Sequence, residues 1–170
     1  MNVSDKIAEW LNEKGITTAF GIVGGGNVAL WDALTRLGKT QIISTHHEQA
    51  AVMAASAYYQ ISRRISVALV TTGAGSTNAI TGVVAAYMDS VPVIVMSGNE
   101  ASKYLDGKTR VLGVQGYCST DLIRPMTKYA ARASSFDWRI ILDGCYEKSL
   151  KQRTGPTWCD VPKDVQNAIV

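Results

Sequence analysis

The chain has 170 residues, 46% of them apolar, and 17 lysines and arginines against 14 aspartates and glutamates give a formal charge of +3. This size and apolar content fit one folded globular domain, residues 1 to 170, with a substantial core, and they argue against disorder. Because the basic residues are scattered among acidic ones, the sequence lacks the basic stripe of a nucleic-acid-binding protein.

The cysteines and the apolar segments exclude two further classes of protein. The three cysteines are far apart and form no CxxC pair, which favours reduced thiols in a cytosolic protein over a disulfide framework or a zinc site. No apolar run approaches the roughly 18 residues of a membrane span, and the amphipathic start of the chain does not resemble a signal peptide. We therefore expect a cytoplasmic protein with no membrane span and no metal ligands of its own.

Strand and helix patterns alternate along the first hundred residues. Apolar positions at helical spacing predict a first helix over residues 3 to 14, capped near Ser4 and ended by Gly15. Strands and helices then alternate, and the predicted bounds are strand 17–23, helix 27–38 begun by Asn27, strand 41–45, helix 48–62, strand 65–72, helix 77–88 and strand 91–97. Nearly continuous apolar strands that alternate with helices predict a parallel sheet buried on both faces, with strand 41–45 buried like the others.

The second part of the chain begins with a long polar segment, residues 98 to 125, of a length that is usually functional or disordered. A short strand over 127–131, a helix over 137–152 and a last strand over 156–161, ended by Pro162, follow it. The whole pattern predicts an α/β fold of three layers, α/β/α, around a central, mainly parallel sheet of about six strands.

The residues just after each strand are the candidates for a site, because ligands of open α/β sheets bind beyond the carboxyl ends of the strands. One such stretch, TTGAGSTN (71 to 78), could hold a phosphate with its glycine amides, or it could be a tight turn that needs small residues. It lacks the lysine of a P-loop and the third glycine of a dinucleotide fingerprint. A free nucleotide-binding domain is therefore disfavoured.

The stretch HHEQAA (46 to 51) is not the HExxH motif of zinc proteases, because Ala51 stands where the second histidine should be. We expect His46 and His47 to be hydrogen-bonded structural residues. Glu48 has two interpretations. It is either an acidic first-turn residue favoured by the helix dipole, or a partly desolvated carboxyl aimed at a ligand.

Four separated stretches together resemble one family, the N-terminal pyrimidine-binding (PYR) domain of thiamine-diphosphate enzymes of the acetolactate synthase type. They are FGIVGGG (20 to 26), HHEQAA (46 to 51), TTGAGSTNAITGVVAAYMDSVPVIVMSG (71 to 98) and GVQGYCSTDLIRPMTKYA (113 to 130). The closing GPTWCDVPKDVQ (155 to 166) fits that domain's last strand and exit. The resemblance runs in order along nearly the whole chain.

The resemblance implies that Glu48 is the catalytic carboxyl, which hydrogen-bonds N1′ of the cofactor's aminopyrimidine and so favours the tautomer that takes the proton from C2. It implies further cofactor-binding residues in the turns after strands: Val23, Gly24, Thr72, Gly73, Gly75, Asn78 and Gln115. We expect Glu48 in an incomplete pocket, partly exposed or covered by a dimer partner, beside residues 72 to 78.

The chain departs from the family pattern at three positions. Val23 and Ala74 stand where the family commonly has proline, and Gly116 stands where a glutamate often follows the glutamine. These departures leave open a rival hypothesis, a non-catalytic interaction or regulatory domain that keeps the fold. The presence of Glu48 and Gln115 argues against it.

The resemblance also implies a missing half. In this family a second domain with a GDG motif holds the diphosphate through Mg²⁺, and no such segment occurs in the chain. We expect half a site of a carboligase or 2-oxo acid decarboxylase, either a domain of a longer enzyme or the natural small subunit of a split decarboxylase, similar to those for sulfopyruvate. The expected partners are the diphosphate-binding domain or subunit, a second PYR domain docked on the alanine-rich helix after Glu48, and a 2-oxo acid. The isolated chain should be inactive.

Overall fold

Six parallel strands form the central sheet in the computed structural model, which describes residues 1–105 and 112–170. The strands are β1 (Thr18–Gly21), β2 (Gln41–Ser44), β3 (Val67–Val70), β4 (Ile94–Asn99), β5 (Tyr129–Arg132) and β6 (Thr157–Pro162). Their order across the sheet is β2-β1-β3-β4-β6-β5, and each neighbouring pair is parallel. The predicted α/β fold with about six strands is confirmed.

Helices cover both faces of this sheet. They are α1 (Val3–Glu13), α2 (Val28–Leu37), α3 (Glu48–Ser62), α4 (Ala74–Met88), α5 (Ser119–Ile123), α6 (Trp138–Leu150) and α7 (Lys163–Gln166). Three single turns of 3₁₀ helix occur at Ser102–Tyr104, Gly113–Gln115 and Arg124–Met126. In the described ranges, no helix is both long and apolar enough to cross a bilayer.

Alternating strand residues supply two separate cores. In β3, Val67 and Leu69 pack with α1, α2 and α6, whereas Ala68 and Val70 face the core formed by α3 and α4. This alternation follows from the strand's period of two. Because both faces are covered, β3 is buried throughout, as its apolar sequence predicts.

The strand before the double histidine differs from its prediction. β2 is largely exposed, since it lies at the edge of the sheet beside β1 and its residues Gln41, Ile43 and Ser44 face solvent. An apolar run of four or five residues does not reveal its place in the strand order. The prediction of a buried strand over 41–45 was therefore wrong.

Three local details also differ from the sequence prediction. The cap of α1 is Asn2, whose Oδ1 accepts a hydrogen bond from Asp5 N at 2.9 Å, while Ser4 is buried inside the helix. Helix α4 begins at Ala74 rather than near 77. The polar segment over 98–125 contains α5 and the 3₁₀ turns, which are too short to show periodicity; its residues 106–111 lie outside the described part.

Helices α3 and α4 pack closely because a glycine stands at their contact. A Cβ added to Gly82 would lie 2.7 Å from Val52 Cβ and 3.1 Å from the carbonyl oxygen of Gln49. Real Cβ atoms do not approach other atoms so closely, so the missing side chain sets the spacing of the two helices. This spacing determines how the first turns of α3 and α4 face each other.

Candidate functional site at the carboxyl ends of the strands

The sheet order changes direction between β1 and β3. The chain passes from β1 to β2 on one side, and β3 then pairs with β1 on the other side. Such a point leaves a crevice beyond the carboxyl ends of the two strands, and ligands of α/β proteins bind there. The turns after β1 and β3 and the first turn of α3 meet at this crevice.

Glu48 is the first residue of α3 and is only 8% exposed within the single chain, so the expectation of a partly exposed or partner-covered carboxyl was wrong. Asn78 Nδ2 donates a hydrogen bond to its Oε2 at 3.1 Å. The partial positive charge of the helix N-terminus further favours a carboxylate at this position. A carboxylate can therefore be buried here and held in one orientation.

The histidine before Glu48 caps the helix. His47 has an extended backbone, and its Nδ1 accepts a hydrogen bond from Gln49 N at 3.2 Å. Both His46 and His47 are exposed. The prediction of a hydrogen-bonded residue is confirmed for His47, whereas within the described residues His46 has no side-chain hydrogen bond.

Gly75 brings backbone close to the Glu48 carboxyl. A Cβ at this position would lie 3.2 Å from Glu48 Oε1 and 2.6 Å from Thr71 Cγ2. Three of the residues named from the sequence, Glu48, Gly75 and Asn78, are thus in contact range of one another. The side chains of Glu48 and Asn78 and the backbone of Gly75 form a small polar cradle that a larger residue at position 75 would fill.

The glycine turn after β1 packs against Thr71. Gly26 N donates a hydrogen bond to Thr71 Oγ1 at 3.1 Å, and a Cβ at Gly24 would lie 2.6 Å from the same oxygen. Gly24 is thereby adjacent to the cradle through Thr71. Val23, which precedes it, is 50% exposed at the outer rim.

Asn27 was predicted to begin the second helix, but its side chain binds the glycine turn before that helix. It precedes α2 as expected, but its side chain does not cap the helix. Its Oδ1 accepts from Gly24 N at 2.7 Å, and its Nδ2 donates to the carbonyl oxygen of Ile22 at 3.0 Å. Asn27 therefore stabilises the glycine turn.

The turn after β3 contacts the loop that carries Gln115. Thr72 Oγ1 lies 2.9 Å from the carbonyl oxygen of Gln115, and the hydroxyl of Tyr117 donates to the carbonyl oxygen of Gly73 at 3.0 Å. Gly73 has a φ of +64°, which L side chains rarely adopt, so glycine is required there. The Gln115 side chain is exposed, and burial raises the pKa of Tyr117, which keeps its hydroxyl protonated as a donor.

The structure thus groups the predicted residues into a centre and a rim. Glu48, Gly75 and Asn78 form the centre, Gly24, Thr72 and Gly73 lie in the adjoining turns, and Val23 and Gln115 are exposed at the edge. Within the described residues, no group of three or more histidine, cysteine, aspartate or glutamate side chains could hold a metal ion.

Sequence reasoning gave no individual role to four polar residues that support the site: Thr71, Asn99, Tyr117 and Asp160. Asn99 and Asp160 carried a usable signal, because polar residues that end or interrupt apolar strands are costly to bury without a task. Thr71 and Tyr117 gave none, since hydroxyl residues are ordinary in turns.

The arrangement defines a class of protein. A parallel α/β sheet with glycine turns and an oriented, buried carboxylate at its switch point is typical of a domain that binds a small ligand or cofactor beyond the carboxyl ends of its strands. The sequence model of the family described as "Thiamine pyrophosphate enzyme, N-terminal TPP binding domain" matches residues 1–122. The chain belongs to this family of thiamine-diphosphate enzyme domains.

Curated relatives agree with this assignment. The chain is 36% identical over 166 residues to the acetolactate synthase large subunit of Buchnera aphidicola subsp. Schizaphis graminum, a match covering 95% of this chain and 28% of the relative. It is 33% identical over 168 residues to the acetolactate synthase isozyme 3 large subunit of Escherichia coli K12, covering 96% of the chain and 28% of the relative. For the chloroplastic acetolactate synthase of Arabidopsis thaliana, the identity is 29% over 170 residues, covering 98% of the chain and 24% of the relative. The chain therefore spans 24% to 28% of these relatives.

Proposed function

We propose that this chain supplies the pyrimidine-binding half of the active site of a thiamine-diphosphate-dependent carboligase or 2-oxo acid decarboxylase. The observation that carries the proposal is the Glu48 carboxyl, which is 8% exposed and held by Asn78 beside Gly75 at the switch point of the sheet. The family membership and the acetolactate synthase relatives support the same class of enzyme.

The residues of the crevice fit an aminopyrimidine. Gly73 and Gly75 are buried, and their lack of side chains lets the Gln115 loop, Thr71 and Glu48 pack closely around the place where we expect the ring to bind. Thiamine diphosphate, when bound, supplies an acidic C2–H group and an electron sink for the carbon that loses CO₂. The task of this chain is to bind the pyrimidine ring and to hold a proton at its N1′ atom.

Glu48 would share this proton with N1′, because a carboxylate and an unprotonated ring nitrogen both accept hydrogen bonds and need one proton between them. Because Asn78 Nδ2 donates to Oε2, the amide fixes the carboxyl plane and leaves Oε1 on the side of Gly75. A carboxylate fixed in this way loses little conformational freedom when a ring nitrogen arrives. Asn78 therefore acts as a positioning residue for Glu48.

The site is completed by partners. The chain spans 24% to 28% of the relatives, so the diphosphate and its Mg²⁺ are held by another domain or subunit. A second PYR domain docks on the face of α3 and α4, where Met53 is 41% exposed and small residues such as Ala57 and Ala85 face solvent. The substrate is a 2-oxo acid.

Reduced thiols at Cys118, Cys145 and Cys159 agree with a cytoplasmic protein.

A chimera tests the proposal. This chain replaces the matching N-terminal segment of the Escherichia coli acetolactate synthase large subunit, and release of CO₂ from pyruvate is measured with and without thiamine diphosphate. We expect cofactor-dependent release, and we expect it to be lost in the same chimera with Glu48→Gln. A chimera that folds and binds the cofactor but releases no CO₂ would contradict the proposal.

One alternative has specific support. Val23, Ala74 and Gly116 depart from the family pattern, and Val23 and Ala74 are exposed at the rim of the crevice. A catalytically silent interaction domain would tolerate such changes. It predicts a chimera that assembles normally and stays inactive, whereas a natural subunit of a split decarboxylase predicts activity after simple mixing with a separate diphosphate-binding chain.

A further inference from the structure

A buried acidic residue lies beneath the site and takes no part in the chemistry proposed above. Asp160 of β6 is fully buried, at 0% exposure. Ser97 Oγ donates to its Oδ1 at 2.6 Å, Asn99 Nδ2 donates to its Oδ2 at 2.9 Å, and Arg132 Nε lies 3.4 Å from Oδ2 as an ion pair. Trp158 Nε1 donates to Ser97 Oγ at 2.8 Å, which orients the serine hydroxyl toward the carboxylate.

Burial of the Asp160 carboxylate carries a desolvation cost. Burial raises the pKa of Asp160, and the donors Ser97 and Asn99 and the charge of Arg132 offset only part of this rise. A buried ion pair is weak evidence for stability, because well-packed apolar residues often serve as well. The carboxylate therefore needs an explanation other than stability alone.

Asn99 is the link between this acid and the surface. It is the last residue of β4 and is 2% exposed. Its Oδ1 accepts from Glu100 N at 2.9 Å and lies 3.0 Å from Thr72 Oγ1, and its Nδ2 also lies 3.4 Å from the carbonyl oxygen of Tyr117. Because an ionised carboxylate only accepts and a backbone N–H only donates, Asp160 and the Glu100 N–H together fix the Asn99 amide with its NH₂ group inward and its oxygen toward Thr72.

Thr72 and Tyr117 carry this orientation to the crevice. The Thr72 hydroxyl lies between Asn99 Oδ1 and the carbonyl oxygen of Gln115, at 3.0 and 2.9 Å. Tyr117 contacts Asn99 through its carbonyl and Gly73 through its hydroxyl. The turn after β3 and the loop with Gln115 are thus joined at one amide.

We propose that Asp160 and Asn99 are positioning residues: the buried carboxylate fixes the Asn99 amide, and this amide holds Thr72 and the Gln115 loop against each other beside the Glu48 cradle. The functional value of this arrangement rests on the proposed function. The geometric part does not, so the two can fail separately. If Asp160 only stabilised the fold, replacing it would lower the stability of the whole chain and would leave the Gln115 loop in its place.

The first test compares two neighbouring variants of the 170-residue chain by amide NMR. In Asp160→Asn, the new NH₂ group competes with the donors of Ser97 and Asn99, so we expect large shifts at Thr72, Gly73 and residues 113–117. Hydrogen exchange of the 113–117 amides should accelerate about tenfold, which is the effect expected from the loss of one buried hydrogen bond. Cys159→Ala is the matched control. Cys159 is fully buried in the same strand as Asp160, but it packs in the core formed with α1, α2 and α6.

The control should lower stability and leave the 113–117 amides unchanged. If Asp160→Asn loses stability to the same degree while those amides stay in place, the positioning role is wrong. Should Asp160→Asn not fold, Thr72→Val removes the hydroxyl at the surface end of the same chain of contacts. It should shift the 113–117 amides, and an unchanged spectrum would equally overturn the proposal.

A reciprocal exchange gives the sharpest test. In the double variant Asn99→Asp with Asp160→Asn, the new amide at 160 donates to the new carboxylate at 99, which still accepts from Glu100 N and Thr72. We expect the Thr72 and Gly73 signals of the double variant to lie closer to their wild-type positions than those of either single variant. Such non-additivity is the sign of two coupled residues. A double variant that is as displaced as the sum of the single variants would contradict the proposal.

Discussion

The carboxyl group of Glu48 is buried at a place where an isolated charge would be costly. Two local features offset this cost: the amide of Asn78, at 3.1 Å, and the N-terminus of α3. The helix N-terminus is evident from the local sequence around Glu48, whereas Asn78 lies in α4 and belongs to a different strand-to-helix connection. The carboxylate and its partners become one site only through the sheet order.

Gly75 provides the clearest prediction for a single residue. Gly75→Ala places a methyl group 2.6 Å from Thr71 Cγ2, and this threonine also holds the glycine turn through Gly26 N. Since a β-branched side chain in a packed turn has little room to move, we expect a loss of about 1 to 3 kcal/mol in the free energy of unfolding. Urea denaturation of both chains measures it.

Gly25→Ala is the matched control for this substitution. A Cβ at Gly25 would meet nothing within 4 Å. Its effect should stay within about 0.5 kcal/mol, as for ordinary surface substitutions. Equal losses for the two alanine variants would show that the space at Gly75 is not limiting.

The distance between α3 and α4 depends on Gly82, whose lack of a side chain lets the two helices pack closely. Gly82→Ala would add a methyl group 2.7 Å from Val52 Cβ. Alanine gains about 1 kcal/mol over glycine in helix propensity, whereas overpacking costs about 1 to 3 kcal/mol, so we expect the clash to prevail and stability to fall. Calorimetry should show a lower melting temperature.

Thr81→Ala, at an exposed neighbouring position of the same helix, controls for general effects in α4. It should leave the melting temperature nearly unchanged. A Gly82→Ala chain that melts higher than wild type would mean that α3 and α4 separate freely and that their spacing does not fix the Glu48 cradle.

The elements that the sequence predicts well are those with a long periodic pattern. Helices α1, α3 and α6 and the buried strand β3 lie close to their predicted bounds, because their apolar residues repeat over several turns or fill a strand. The five-residue α5 was missed because it is shorter than two turns. The exposure of β2 was missed because strand order depends on contacts between distant segments, which periodicity does not contain.

The residues of the site were also predicted only in part, because contacts between distant segments cannot be read from the sequence pattern. The stretches 46–48 and 71–78 could be selected from the sequence because turns after parallel strands meet at one edge of the sheet, and the resemblance to the PYR domain then singled out Glu48, Gly75 and Asn78 within them. Asp160 and Asn99 were not named, because a single polar residue in an apolar strand does not indicate its partner. Their significance becomes visible only when β4 and β6 are seen to be neighbours.

The stability of the whole molecule includes a pH-dependent contact between α1 and α2. The Arg36 guanidinium donates a hydrogen bond to the Asp5 carboxylate and holds the pKa of this carboxyl below its usual value. A lowered pKa in the folded state means that the contact stabilises the fold above the unfolded-state pKa, about 3.9, and that this contribution is lost as the pH falls through the folded-state pKa.

Arg36→Met should therefore be slightly less stable than wild type at pH 7, by the small amount of a partly exposed ion pair. The difference should shrink as the pH falls below about 4, because the wild type then loses the contact as well. Urea midpoints across this pH range measure the difference. Lys39→Met, at an exposed position nearby, should show no such convergence. A gap for Arg36→Met that widens on acidification would contradict the assignment.

We propose that, in the assembled enzyme, Glu48 helps to remove the C2 proton of thiamine diphosphate. The most direct measurement is hydrogen–deuterium exchange at C2 in the chimeric large subunit with cofactor and Mg²⁺ bound, comparing wild type with Glu48→Gln. Since proton transfer by a positioned group contributes about 10²- to 10⁴-fold, we predict exchange slower by a factor of that order in the variant while the cofactor stays bound. Exchange at the wild-type rate in Glu48→Gln would contradict the account.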